Sequence, residues 1–121
     1  MRLERDKDLI SDEQASVCAA HGAESTACDP NMKVGIALAT LGNLPLNALR
    51  HRPEDGTTGW YIWGGELSQA PDFFLPLHAA HLAEYVPELV PYLALAPGWR
   101  VLIAPPQLDV WYDASLLGER P

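Results

Sequence analysis

The sequence predicts one α+β domain, built on a mostly antiparallel sheet of four to five strands with a helix packed on one face. Three observations point there. A chain of 121 residues makes a single domain that can bury roughly two-thirds of the surface its unfolded form exposes. All ten aromatic residues lie between Trp60 and Tyr112, so the second half supplies the large apolar side chains that a core needs. Runs of strand formers bounded by glycine and proline alternate with helical patterning, in the order helix, two or three strands, helix, two strands.

Residues 1–32 read as an N-terminal arm or short helix. Ser11-Asp12-Glu13 can cap a helix running through residues 15–20, and Gly22 is placed to end it. Asp29-Pro30-Asn31 signals a turn. The α+β domain proper is expected over residues 33–121. Its first strand is KVGIALATL, residues 33–41, too short and too glycine-interrupted for a helix. Gly42-Asn43 offers a turn, and residues 46–52 alternate as a second strand. Residues 53–59 are the clearest loop, after which residues 60–63 form a strand closing on Gly64-Gly65. Alternation sets Trp60 and Ile62 on one sheet face and Tyr61 and Trp63 on the other. Asp72 starts a short helical turn carrying Phe73 and Phe74. From Leu77, the residues His81-Leu82, Tyr85-Val86, Leu89-Val90 and Leu93 recur as one stripe of an amphipathic helix. Pro87 and Pro91 interrupt it, so the helix ends near Tyr85 and a separate turn restarts at Pro87. After Pro97-Gly98, residues 99–104 make a strong strand; Pro105-Pro106 breaks it, and residues 109–113 are a last short strand.

Composition narrows the function. Residues 1–52 hold seven acids against six bases, whereas residues 53–121 hold nine acids against only Arg100 and Arg120, so most of the net charge of −8 sits in the second half. A surface this acidic repels phosphate backbones, which argues against nucleic acid, and it steers basic protein partners inward. The same charge also serves plain solubility. No apolar run approaches the ~20 residues that span a bilayer, and Met1–Asp8 has no apolar signal core behind it, so a cytoplasmic protein without membrane contact is expected. Cys18 and Cys28 lack a second ligand pair at zinc spacing and are expected as free thiols.

Few patterns suggest chemistry. His78, His81 and Glu84 are spaced by threes, which on a helix puts them on one side within reach of a metal. The spacing is not HExxH, however, and His81 falls on the apolar stripe. Neither Ser68 nor Ser115 sits in a nucleophile elbow, and the cysteines have only His21 nearby. The glycines around residues 56–65 lack phosphate-loop spacing and read as turns beside bulky Trp60 and Trp63. Asp109 and Asp113 bracket the last strand, and Glu66 follows the aromatic one. If those strands are neighbours, the three acids converge as a general acid/base pair or as an acidic patch beside aromatic anchors; otherwise they are strand-end turn residues.

Five elements in order carry a resemblance. They are Gly59-Trp60-Tyr61-Ile62-Trp63-Gly64-Gly65-Glu66; Pro71-Asp72-Phe73-Phe74 with Leu77-His78; Pro87-Glu88-Leu89-Val90-Pro91-Tyr92-Leu93; Pro97-Gly98-Trp99-Arg100; and Asp109-Val110-Trp111-Tyr112-Asp113. This succession resembles the bacterial immunity-protein-33-like domain, a family of small proteins linked to polymorphic toxins. It covers about residues 59–117, with a weaker relation in the strand from Lys33. The resemblance implies a non-catalytic protector that binds a cognate toxin, with no cofactor and no catalytic residues to carry over. The expected contact surface uses Glu66, Asp72, Asp109 and Asp113, with Trp63 or Tyr112 as anchor. The alternatives are a peptide- or small-ligand-binding scaffold, or a metal-dependent enzyme using His78, His81 and Glu84.

Overall fold

A computed structural model describes residues 9–118. Helix α1 (Asp12–His21) begins where Ser11 forms a capping box with Gln14: the Gln14 amide donates to Ser11 Oγ, and the Ser11 amide to Gln14 Oε1, both at 3.1 Å. That satisfies two of the donors a helix start leaves unpaired. Gly22, in the left-handed conformation at φ 68°, ends it. Gln14 and Cys18, one turn apart, are its buried residues, and Gln14 Nε2 donates to the Val90 carbonyl at 2.8 Å. Residues 1–8 of the expected arm lie outside the described residues.

Six strands follow: β1 (Lys33–Ile36), β2 (Leu46–Arg50), β3 (Thr57–Gly64), β4 (Leu75–His78), β5 (Trp99–Ala104) and β6 (Gln107–Tyr112). They form one sheet in the order β4-β1-β3-β2-β5-β6. The β1–β3 pair is parallel and every other pair antiparallel. The sheet is therefore mixed and has one strand more than expected. The first strand stops at Ile36 because a 3-10 turn over Leu38–Thr40 takes the chain off the sheet, pinned by Thr40 Oγ1 donating to the Ala37 carbonyl at 2.7 Å. β3 starts earlier than its aromatic block, with Thr57–Gly59 drawn out of the expected loop into the ladder.

The extra strand is β4, which replaces the start of the expected helix. Pro76 suits an edge strand and disfavours the helical region at Leu75; Leu77 pairs with Val34 across the ladder. Helical structure begins only with the 3-10 turn Ala79–His81 and helix α2 (Leu82–Tyr85), then restarts at Pro87 as the 3-10 segment Pro87–Tyr92. Asp72 lies in a turn with Phe73 and Phe74, without helix.

Alternation along β3 separates two clusters. Trp60 and Ile62 join Val34, Ile36, Leu46, Ala48 and Val101 under Cys18, Leu82, Val86, Leu89, Leu93 and Leu95, so the helical segments cover this face. Tyr61 and Trp63 face the other way, against Leu49, Phe73, Phe74 and Leu116.

Arg50, only 1% exposed, ties the first cluster to the surrounding loops. Its guanidinium donates to the carbonyls of Thr58 (2.9 Å), Thr26 (2.9 Å), Ala27 (3.1 Å), Leu93 (3.2 Å) and Leu95 (2.8 Å), and it lies 5.5 Å from the Trp60 ring centroid. Trp60 Nε1 donates to the same Leu93 carbonyl at 3.0 Å. Burial lowers the Arg50 pKa from its ordinary value, but guanidinium is basic enough to keep its charge. The cation is thus solvated by peptide dipoles in place of a carboxylate.

Candidate functional site

The sheet order decides which expected residues meet. β2 and β5 stand between β3 and β6, a separation of three strand spacings, about 14 Å. Glu66 after β3 and the acids of β6 therefore do not converge through neighbouring strands. Register places Leu46 opposite both Gly64 and Ile103, and Ile103 opposite Leu108, so Glu66 and Asp109 lie toward one end of the sheet. Asp113 follows Tyr112 at the other end, and Asp72 is exposed beside the Phe73–Phe74 turn. No acid/base pair is assembled from these groups.

The aromatic candidates part company. Trp63 is 4% exposed: Phe74 packs edge-on at 6.0 Å, and Trp63 Nε1 donates to the Gly65 carbonyl at 3.1 Å. It has almost no area to offer a partner. Tyr112 is 50% exposed on the edge strand, its ring 5.6 Å from Trp99.

β6 is the richest open surface. Of the seven large apolar side chains exposed among the described residues, Leu108, Trp111 and Tyr112 all lie on it. Register puts Leu108, Val110 and Tyr112 on the face of Ile103, Val101 and Trp99, with Gln107, Asp109 and Trp111 on the opposite face. On that second face Arg100 Nη1 donates to Asp113 Oδ2 at 3.2 Å, and its guanidinium lies 5.2 Å from the Trp111 ring centroid. Arg100 Nε is buried there without a hydrogen-bond partner. Asp113 also caps the 3-10 turn Ala114–Leu117, accepting from the Ser115 hydroxyl at 2.6 Å and the Ser115 amide at 3.1 Å. Those Ser115 bonds, aided by Arg100, hold the carboxyl below its ordinary pKa. Asp109 accepts from Gln107 Nε2 at 2.9 Å.

Sequence reasoning passed over Leu108 and Trp111. What sets them apart is sheet order: β6 has no second partner strand among the described residues, which makes it an edge.

The enzyme candidates do not assemble. His78 ends β4 while His81 ends a 3-10 turn, so the single helical face that would have aligned them is missing. Their rings are 6.4 Å apart, and His81 Nδ1 lies 3.4 Å from Glu84 Oε2 in an exposed pair. Among the described residues no three His, Cys, Asp or Glu groups are placed to hold a metal ion. Cys18 and Cys28 are free thiols. Burial pushes the Cys28 thiol up to about 11 despite nearby Arg50, which keeps it protonated and unreactive at neutral pH. No helix among the described residues is long and apolar enough to cross a membrane.

A family model for the Imm33-like domain matches residues 13–113. Nothing matches among curated proteins or among solved structures. The matched span is wider than the motif succession: it takes in nearly all of α1 and the segment between β1 and β3. With the match running from α1 to the end of β6, the chain belongs to the Imm33-like domain family.

Proposed function

We propose that this chain is a non-catalytic immunity protein that neutralises a cognate toxin domain by stoichiometric binding in the cytoplasm of the cell that makes both. Family membership supports a protective role. The observation that carries the binding mode is β6, where Leu108, Trp111 and Tyr112 stand exposed beside Asp109 and Asp113. Exposed aromatics rimmed by charge are the usual make-up of a protein-binding hot spot. The net charge of −8 adds long-range attraction for a basic partner.

Within this reading Tyr112 is the anchor, Asp109 and Asp113 are the near rim, and Glu66 and Asp72 contribute only long-range charge. The test is toxin association measured by stopped flow across a salt series, for wild type and for each acid reversed to Lys. Asp109→Lys is expected to slow association most, with Glu66→Lys and Asp72→Lys showing smaller effects, and the wild-type rate is expected to fall steeply with salt. Rates indifferent to all four reversals would remove this surface from the proposal.

A further inference from the structure

We infer that β6 is a docking strand, whose outer edge takes an extended, alternately apolar and basic segment of the partner protein as a seventh strand of the sheet. The partner's identity as a toxin rests on the immunity reading; the strand addition rests on the edge itself.

The two sheet edges are built differently. β4 is four residues long with Pro76 inside it, which removes a main-chain donor. β6 is six residues long, contains no proline, and has no second partner strand among the described residues. Its hydrogen-bonding phase follows from its end, where the Asp113 amide donates to the Gly98 carbonyl at 2.7 Å. In an antiparallel ladder alternate residues then face inward. Gln107, Asp109 and Trp111 bond to β5, while the N–H and C=O groups of Leu108, Val110 and Tyr112 point outward. An open apolar edge of this kind invites pairing with another chain, and here the only charge on the strand that guards it is Asp109.

The side chains state what the added strand should look like. Positions opposite Leu108, Val110 and Tyr112 share their face and suit apolar residues. Positions opposite Asp109 and Trp111 suit Lys or Arg, which would pair with the carboxylate and lie against the indole. A second copy of this chain fits poorly, because each copy carries a net charge of −8.

The probes are a blocked octapeptide of alternating valine and lysine and its valine–glutamate counterpart, read by amide hydrogen exchange and by binding titration. The valine–lysine peptide should protect the Leu108, Val110 and Tyr112 amides, leave the outward amide of β4, that of His78, unchanged, and bind at least tenfold tighter than the glutamate peptide. Leu108→Pro deletes one outward donor and no bond to β5, and should weaken binding about tenfold. Asp109→Lys leaves the backbone intact and should reverse the peptide preference, which decides the matter should the proline variant unfold. Protection elsewhere, equal affinity for both peptides, or wild-type dimers abolished by Leu108→Pro would overturn the inference. Growth rescue against the proposed cognate toxin separates the two ideas. Wild type that binds the peptide but fails to rescue retains the docking strand and removes the immunity reading. Leu108→Pro that loses the peptide yet rescues fully shows that strand addition is not how the toxin is held.

Discussion

Replacing Arg50 by Met should be among the most damaging single changes in this protein. Five carbonyls, those of Thr26, Ala27, Thr58, Leu93 and Leu95, take their hydrogen bonds from this one guanidinium. Swapping a buried ion pair for apolar residues is often harmless, because both charges leave together. Here the acceptors are backbone and stay behind. Leu93 O keeps Trp60 Nε1, so four carbonyls lose the donor that Arg50 supplies. At ~1–3 kcal/mol for each unsatisfied group, discounted for water reaching the loop carbonyls of Thr26 and Ala27, the loss is about 4 kcal/mol. That is a large share of the ~5–15 kcal/mol available to a domain, and corresponds to a fall in Tm of about 15 °C at this size. Arg50→Lys keeps a charge but offers three donors from a single point, so about half the loss is expected. Urea unfolding followed by tryptophan fluorescence measures both. A cost below ~1 kcal/mol for Arg50→Met, or equal costs for Met and Lys, would refute the view that carbonyl satisfaction by this cation holds the loops to the sheet.

Two further outcomes follow from local geometry. Gly59 has φ 93°, and a Cβ there would run into the His51 carbonyl, so Gly59→Ala should destabilise by at least ~2 kcal/mol in the same assay. Asp113 has a folded pKa below its ordinary value of 3.8, so its contribution to stability is fully present above that value and is lost as pH falls through the lower folded pKa. The stability difference between wild type and Asp113→Asn should therefore hold steady from neutral pH to about pH 5, then shrink below pH 3.8. A difference that grows on acidification would contradict the assigned sign.

Much of the architecture is legible in the letters because single residues decide it locally. Ser11 and Gly22 mark the ends of α1, Pro87 marks the helical restart, and alternation assigns Trp60 and Tyr61 to opposite faces. β4 is less legible: Leu77, His81 and Leu82 satisfy a helical stripe as well as a strand running into a turn, and the long-range pairing of Leu75 and Leu77 with β1 decides between them. The surface is harder still. Alternation tells which way Trp63 points but not that Phe73 and Phe74 return across the chain to cover it. Convergence of Glu66 with Asp109 depended on strand order, a property of the whole sheet. The Arg50 site draws on three separate segments, around Thr26–Ala27, Thr58 and Leu93–Leu95, and a lone arginine at a strand end carries no local sign of such a role.

Stoichiometric inhibition is tested by calorimetric titration of this chain into its proposed toxin partner, with residual toxin activity read at each step. Expected are one-to-one binding, activity falling in proportion to the bound fraction, and affinity lost when Asp109 and Tyr112 are changed together to Lys and Ala. Absence of binding, or full inhibition by a trace of this chain as a catalyst would give, would contradict stoichiometric inhibition.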